Sequence, residues 1–279
     1  MHRSTGSAPG SPGLIVVLLA LIAAATFPLA ANGQTNEPKD TYGRHDSFGR
    51  ITPYVWFSNI NGRAGIDDTI IHVGDDRLNT NFAIQAEYGK GRWRVVFEAS
   101  RGKVANTAIK GVDPTSTGGH CCGPDQVARV DGPYELAITS AELLASIQVG
   151  PFWTHRGIEV QGGFRYTDHN LNLALTDPVL VGTFSESWIE PVVGLRYYTA
   201  VGSKVWFTMR TNIGGFGMGP EFTWLLDGEV GYRVGRDLDV SLRYKYLETD
   251  YKNSSMGLDQ YDWQLGQSQG WLMGVSYKW

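Results

Sequence analysis

The chain has 279 residues, of which 42% are hydrophobic and 12% aromatic, so it can bury a core and is not a disordered protein. Its formal net charge of −4 disfavours nucleic acid as a partner. Its 35 glycines suit hairpin turns better than a helical bundle, and its length is compatible with a single all-β barrel.

The amino-terminal segment has the pattern of a secretory signal peptide. Arg3 precedes an apolar run from Leu14 to Ala25, and small residues follow up to Gly33. The run is short for a membrane-spanning helix, which needs about 20 residues, and an uncleaved anchor is the alternative. We predict a cleaved signal peptide over residues 1–33 and a polar leader over 34–49. No later apolar stretch could cross a bilayer as a helix, so any later membrane insertion would use strands.

From Ile51 onward, apolar and polar residues alternate with the period of two that is typical of β-strands. The alternation predicts ten strands in a barrel domain over residues 50–279. They lie near 51–60, 81–88, 92–104, 134–149, 157–168, 187–199, 203–214, 222–234, 238–250 and 267–279.

The connections between the predicted strands are short and long in strict alternation. Short turns at 89–91, 150–156, 200–202 and 235–237 alternate with longer segments at 61–80, 105–133, 169–186, 215–221 and 251–266. Outer-membrane barrels have short turns at the periplasmic end, longer loops at the other end and usually an even number of strands. We therefore predict a transmembrane antiparallel up-and-down β-barrel of about ten strands, with both ends of the domain on the short-turn side. Counts of 8 or 12 strands are the alternatives.

The strand predicted near 134–149 changes phase along its length. Its apolar residues have even numbers up to Ile138 and odd numbers from Leu143 onward. A β-bulge between these residues would account for the change, and we predict one there.

One face of the predicted strands is polar and the other apolar, a pattern that soluble and membrane barrels share. The polar face carries seven acidic and seven basic side chains, and arginine dominates the bases. Arginine satisfies several acceptors at once while it stays charged, which favours an enclosed, crowded lumen. The fourteen residues are Glu87, Arg94, Glu98, Glu142, Glu159, Arg165, Glu190, Arg196, Arg210, Asp227, Glu229, Arg233, Arg243 and Lys245.

Aromatic residues on the apolar face gather toward the strand ends, as they do at the two membrane–water interfaces. Those near the short turns are Tyr88, Trp93, Tyr197, Tyr232, Tyr277 and Trp279. Those near the long segments are Trp188, Trp224, Tyr246 and Trp271. We therefore predict that the apolar face contacts lipid and that the polar face lines the lumen. A secreted soluble barrel is the alternative.

The final strand ends with aromatic residues at its third-last and last positions. Gly274, Tyr277 and Trp279 match a carboxy-terminal assembly signal, although Met273 replaces the polar residue that usually precedes the glycine. Over roughly residues 50–279 the sequence resembles the small bacterial outer-membrane β-barrel proteins of the OmpA-like or porin-like superfamily. Segments 53–56, 91–93, 187–196 and 212–217 resemble a poorly characterised subgroup of these barrels. The resemblance implies insertion by the barrel-assembly machinery and supplies no activity.

Three sets of residues could form a metal site or a catalytic site. The first combines imidazole and thiolate, the ligands of Cu(I) or Zn²⁺, and consists of His120, Cys121 and Cys122. Three consecutive residues fit tetrahedral coordination poorly. A loop feature without a chemical role, a strained vicinal disulfide and an intermolecular link are the other hypotheses for this cluster. Asp168 and His169 could supply a general base, although neighbours on a strand point to opposite faces. Acidic residues of the first and last long segments could bind Ca²⁺, with solvated loops as the simpler account: Asp67, Asp68, Asp75, Asp76, Asp250, Asp259 and Asp262.

The near balance of lumenal charge predicts a structural ion-pair network, because the interior of an eight- to ten-stranded barrel is scarcely wider than its side chains. We therefore predict a non-enzymatic, monomeric outer-membrane protein without a cofactor, with a structural or surface-interaction role. Loops on a rigid scaffold commonly carry recognition, so its contact surfaces are expected at 105–133 and 251–266. Outer-membrane lipid and the barrel-assembly machinery are the expected partners. A narrow porin-like channel for small solutes is the second hypothesis, and a barrel-embedded lipid- or peptide-modifying enzyme is the third.

Overall fold

The computed structural model describes residues 47–66, 69–74, 79–114, 128–149, 156–176, 179–252 and 261–279. The predicted signal peptide and most of the leader lie outside these ranges. The strands are β1 (Ser47–Ile66), β2 (Thr69–Gly74), β3 (Asn79–Lys90), β4 (Trp93–Pro114), β5 (Ala128–Val149), β6 (Arg156–Thr176), β7 (Val179–Val201), β8 (Val205–Gly215), β9 (Phe222–Arg233), β10 (Leu238–Lys252) and β11 (Tyr261–Lys278). Among the described residues, no helix has the length and apolar character needed to cross a membrane.

The strands form one antiparallel sheet that closes on itself. Consecutive strands from β3 to β11 are paired, and β1 pairs with both β3 and β11. The short strand β2 continues the position of β3, since it pairs with the far part of β1 and with β4. The described chain is therefore a closed ten-stranded barrel, which confirms the predicted architecture and strand number.

The two ends of the barrel domain meet on the short-turn side. Gly49 and Trp279 exchange two backbone hydrogen bonds of 3.1 Å, and Ser47 pairs with Lys90 beside the tight turn at Gly91. The φ of +59° at Gly91 is one that glycine adopts without steric cost. Because β1 and β11 pair along their lengths, neither leaves an open edge to aggregate.

The strands extend well beyond their predicted ends on the opposite side, which we call the distal end. β4 and β5 continue to Pro114 and Ala128, and β6 and β7 to Thr176 and Val179. Much of the sequence predicted as loops at 105–133 and 169–186 therefore continues the barrel wall as paired strands.

A belt of exposed apolar side chains surrounds the barrel on the short-turn side, as predicted from the alternation. We call it the outer belt. Its members include Phe82, Ile84, Tyr88, Trp93, Phe97, Leu143, Phe164, Ile189, Leu195, Ile213, Val230, Leu242, Trp271, Met273 and Tyr277. So large a continuous apolar surface is rare on a soluble monomer, and it suits contact with lipid.

Trp188 does not belong to the outer belt, and its predicted position on the lipid-facing side is wrong. It is only 6% exposed and points into the barrel. The reason is its parity, because Trp188 lies two residues from the inward-facing Glu190 on the same face of β7.

The two faces of the wall exchange character on the distal side of the outer belt. In β5, Leu143 is exposed on the outside, whereas Leu136 and Tyr134 are buried inside. The pairing of β5 with β4 and β6 is regular from Tyr134 to Ile147, so the predicted β-bulge is wrong. The phase change instead reflects a change of environment: an apolar outside over a charged inside gives way to a polar outside over an apolar inside.

The exchange occurs at one level across four neighbouring strands. From β4 to β7, one row of paired outward residues is polar and consists of Arg101, Thr139, Asp168 and Ser187. The next outward row on the short-turn side is apolar and consists of Ala99, Ala141, Tyr166 and Ile189. The distal part of the barrel therefore has the pattern of a soluble protein, with polar side chains outside and apolar side chains inside.

Candidate functional site in the barrel interior

The lumen inside the outer belt is filled with charged side chains, which we call the lumenal network. The structure places thirteen of the fourteen predicted residues there, all of them buried. They are Glu87, Arg94, Glu98, Glu142, Glu159, Arg165, Glu190, Arg196, Arg210, Asp227, Glu229, Arg243 and Lys245.

Three charged residues differ from the prediction. Arg233 is only half-buried near the short turns, where its Nη1 donates to the carbonyl of Ser203 at 3.1 Å. Arg50 and Asp239 are also buried in the lumen, although neither is among the fourteen predicted lumenal charges. Extending the alternation by one residue before Ile51 would have found Arg50, and Asp239 is on the polar face of its predicted strand.

Glu98 is the centre of the distal part of the network. Its two carboxylate oxygens accept from Lys245 Nζ at 2.6 Å, Arg243 Nη2 at 2.8 Å and Arg210 Nη2 at 3.2 Å. These three cations come from β8 and β10, whereas Glu98 is on β4. The contacts therefore cross the lumen from one wall to the opposite one.

The same ion pairs continue around the lumen in an alternating chain. Arg210 also contacts Asp227 Oδ2 at 2.7 Å and Glu142 Oε1 at 2.7 Å. Glu142 in turn binds Arg165 at 2.6 Å, and Arg165 binds Glu190 at 3.1 Å. This part of the network joins four cations to four carboxylates, so it is neutral overall.

A second group of ion pairs lies nearer the short turns, around Glu87. This carboxylate contacts Arg50 at 2.9 Å, Arg94 at 3.1 Å and Arg196 at 3.1 Å, and Arg94 also contacts Glu159 at 3.0 Å. The three arginines come from β1, β4 and β7. Glu87 therefore ties together strands that are not neighbours in the sheet.

Gln85 connects the two groups. Its Nε2 donates to Glu87 at 2.9 Å, and its Oε1 accepts from Tyr54 Oη at 3.1 Å and from Arg243 at 3.3 Å. Tyr54 Oη also lies 2.9 Å from Glu229. Buried charges are stable only when they are paired and hydrogen-bonded, and the contacts described here meet most of that requirement. Arg196 Nη1 and Arg243 Nε are the exceptions within these contacts, since neither makes a hydrogen bond.

An apolar layer covers the network on the distal side, and we refer to it by that name. Its buried members are Ile60, Ala64, Val73, Val104, Tyr134, Leu136, Leu171, Leu173, Trp188, Tyr251 and Trp263. A cavity of about 30 Å³ lies between this layer and the network, lined in part by Trp56, Ser140, Thr167, His169 and Lys245. That volume holds two or three water molecules at about 10–15 Å³ each.

His169 packs against the apolar layer and does not lie at an open rim. It is 2% exposed, and its ring meets the rings of Trp188 and Trp263 edge-on at 4.8 Å and 5.2 Å. Asp168 is on the opposite face of β6, as strand alternation requires. The structure therefore does not bring these two neighbours together as an acid–base pair.

The predicted assembly-signal residues occupy both faces of β11. Tyr277 and Trp279 are exposed, and their rings stack at 6.2 Å. Gly274 faces the lumen, where a Cβ atom would lie 2.6 Å from the ring of Tyr54. Glycine is needed at that position because Tyr54 occupies the space.

The predicted cation sites lie largely outside the part of the chain that the structure describes. This is so for His120, Cys121 and Cys122, and for five of the seven acidic residues: Asp67, Asp68, Asp75, Asp76 and Asp259. Within the described ranges, no group of three or more His, Cys, Asp or Glu side chains could hold a metal ion.

Ion pairs outside the lumen are exposed to solvent. Lys103 contacts Glu135 at 2.8 Å with side chains that are 54% and 40% exposed. At the distal rim Lys252 contacts Glu221 at 3.3 Å, and this hydrogen bond raises the pKa of the Lys252 ammonium. Exposed pairs of this kind contribute little to stability, in contrast to the buried network.

Comparisons with known proteins support the fold. No protein-family profile matches the sequence, and no curated protein is similar to it. The chain is similar in structure to the outer membrane protease OmpT of Escherichia coli, with 8% identity over 89% of this chain and 99% of that one and a TM-score of 0.52. Ail of Yersinia pestis covers 83% of this chain and 99% of its own at 9% identity, with a TM-score of 0.33. At such identities the likeness extends to the fold alone, which is that of the bacterial outer-membrane β-barrels.

Proposed function

We propose that this chain, which has the fold of the bacterial outer-membrane β-barrel proteins, is an outer-membrane protein with a sealed lumen and a structural or surface-interaction role. The lumenal network is the observation that carries the proposal. It spans the barrel interior with paired charges, and the apolar layer covers it on the distal side. A conducting pore needs a continuous column of water. The cavity between the lumenal network and the apolar layer has a volume of about 30 Å³, which is too small for such a column.

Two further features support the proposal. The outer belt suits lipid, and the signal-peptide pattern over residues 1–33 suits export to the outer membrane. The distal strands carry polar outward side chains beyond the belt, so they form a rigid surface on the exterior side of the membrane. His169 is enclosed among aromatic rings, which argues against its use as a general base at the rim.

Planar-bilayer recording of the purified, refolded protein tests the seal. We expect a flat current for the wild-type protein. The triple variant Glu98→Ala, Arg210→Ala and Trp263→Ala removes one anion and one cation from the network and one ring from the apolar layer. It opens space in both parts of the seal without unbalancing charge, and we expect it to conduct. A double variant of the exposed pair, Lys103→Ala with Glu135→Ala, is the control and should stay silent. Reproducible unitary steps from the wild-type protein would establish the narrow-channel hypothesis instead.

A further inference from the structure

The β8–β9 hairpin is shorter than its neighbours and leaves a gap in the barrel wall. β7 pairs with β8 only from Val192 to Val201, although β7 itself continues to Val179. β10 pairs with β9 only as far as Asp250. In the described part of the chain, β7 and β10 therefore extend beyond the hairpin on the distal side. No strand is hydrogen-bonded between these distal portions.

Side chains close this gap, and we call the closure the seam. The rings of Trp188 on β7 and Tyr251 on β10 stack at 4.2 Å with an angle of 13° between their planes. The Tyr251 Oη donates to Glu186 Oε1 at 2.5 Å. No described backbone ladder joins β7 to β10 at this level, so the seam can part without breaking a sheet.

The loop below the seam is apolar and exposed. Phe216 and Met218 are 56% and 61% exposed, and Phe222 follows at 48%. Positive φ angles at Gly217 and Gly219, +77° and +82°, hold the loop in a conformation that only glycine adopts freely. The loop adjoins the outer belt, because a Cβ at Gly219 would lie 3.3 Å from the carbonyl oxygen of the belt residue Ile189. Its exposed apolar side chains therefore suit contact with lipid acyl chains.

A polar group at the seam has no partner. The indole Nε1 of Trp188 makes no hydrogen bond, and the residue is only 6% exposed, so solvent does not satisfy the donor. Its Cδ1, the ring atom bonded to Nε1, faces the loop, because a Cβ at Gly219 would lie 3.0 Å from it. Buried N–H donors in proteins are almost always satisfied, so this donor is available to an acceptor oxygen.

We infer that the seam binds the acyl chain of a membrane lipid of the outer leaflet. The alkyl carbons lie along Phe216 and Met218, and the ester or amide carbonyl oxygen accepts from Trp188 Nε1. The hydrogen bond from Tyr251 to Glu186 closes the seam when it is empty. The inference depends on the proposed outer-membrane location but not on whether the lumen is sealed.

Photolabelling tests this site directly. The wild-type protein is refolded into vesicles that contain a phosphatidylcholine with a diazirine on one acyl chain, and labelled residues are mapped by mass spectrometry after irradiation. We expect label on Trp188 and Tyr251 as well as on Phe216 and Met218. Label confined to the outer belt, with none on Trp188 or Tyr251, would overturn the inference.

Three variants distinguish binding from incidental contact. Trp188→Phe keeps the ring and removes the donor, so label at Tyr251 should fall about two- to tenfold. Tyr251→Phe keeps the stack and removes the hydrogen bond to Glu186, so label at Trp188 should rise about three- to tenfold. Trp271→Phe alters only the outer belt, so it should leave the labelling of Tyr251 and of Trp188 unchanged.

Equal labelling of the seam in all three variants would overturn the inference even if the wild-type protein is labelled there. Each variant is compared after its folded band is verified on an unheated gel. Conductance of the wild-type protein would contradict the sealed lumen and leave the labelling pattern unaffected, so the two proposals fail separately.

Discussion

At the scale of single residues, burial decides how much each ion pair contributes. Glu98 is 4% exposed and is shared by three cations, whereas Glu135 forms a pair of similar length with Lys103 at the surface. Removing one partner of a buried pair leaves an uncompensated charge away from water, which costs about 3–5 kcal/mol. Removing one partner of an exposed pair costs about 0–1 kcal/mol, because water solvates the remaining charge.

We therefore expect Glu98→Gln to lower the free energy of unfolding by about 3–5 kcal/mol. The matched variant Glu135→Gln should lower it by less than about 1 kcal/mol. Urea titration of the folded protein in lipid vesicles, followed by tryptophan fluorescence, measures both. Similar losses for the two variants would mean that the lumenal network is hydrated and contributes as a surface pair does.

At the scale of the strand, the parity of the apolar residues reports the environment on each side of the wall. In β5 the outward positions change from Leu143 to Thr139 while the inward positions change from Glu142 to Leu136. The strand is regular throughout, so the chain changes side-chain character while its backbone continues. We interpret the level of Thr139 as the distal boundary of the membrane.

Cysteine labelling tests that boundary in a Cys121→Ser, Cys122→Ser background. Thr139→Cys should react with a membrane-impermeant maleimide added to intact cells, because it lies on the polar outer surface. Leu143→Cys faces outward from the same strand, four residues deeper into the belt, so lipid should shield it. Comparable reaction at both positions would place the boundary elsewhere.

At the scale of the whole molecule, closure of the barrel depends on its last residues. Trp279 exchanges two backbone hydrogen bonds with Gly49, where the final strand meets the first. Its side chain is 66% exposed beside Tyr277, in the position predicted for the assembly signal. Loss of this residue should affect both the joint and recognition by the assembly machinery.

We expect deletion of Trp279 to reduce the amount of heat-modifiable protein in the outer-membrane fraction of cells. Heat-modifiable migration reports a closed barrel, because the folded form resists the detergent of an unheated gel. Trp93→Ala is the control, since Trp93 is equally exposed, at 62%, at the same end of the barrel. A normal yield of the shortened chain would contradict the assembly-signal hypothesis.

Strand alternation was sufficient to predict the architecture. It identified ten strands, the short-turn end, the outer belt and thirteen of the buried lumenal charges, because the side-chain direction in a strand depends only on local parity. It failed where the environment changed along a strand. Leu136 was misinterpreted because a residue's own sequence neighbours do not show whether lipid, water or a core lies on each side. Trp188 is a different case, since it has the parity of Glu190 and alternation itself places it on the inner face.

The sequence by itself therefore determined which residues share a face, and with it the fold. Only the tertiary structure decided which charges pair. Arg196 and Glu87 are 109 residues apart and meet across the lumen, because closure of a tilted barrel sets the stagger between distant strands. The seam has the same origin, since the stacking of Trp188 on Tyr251 arises only where a short hairpin brings β7 and β10 together.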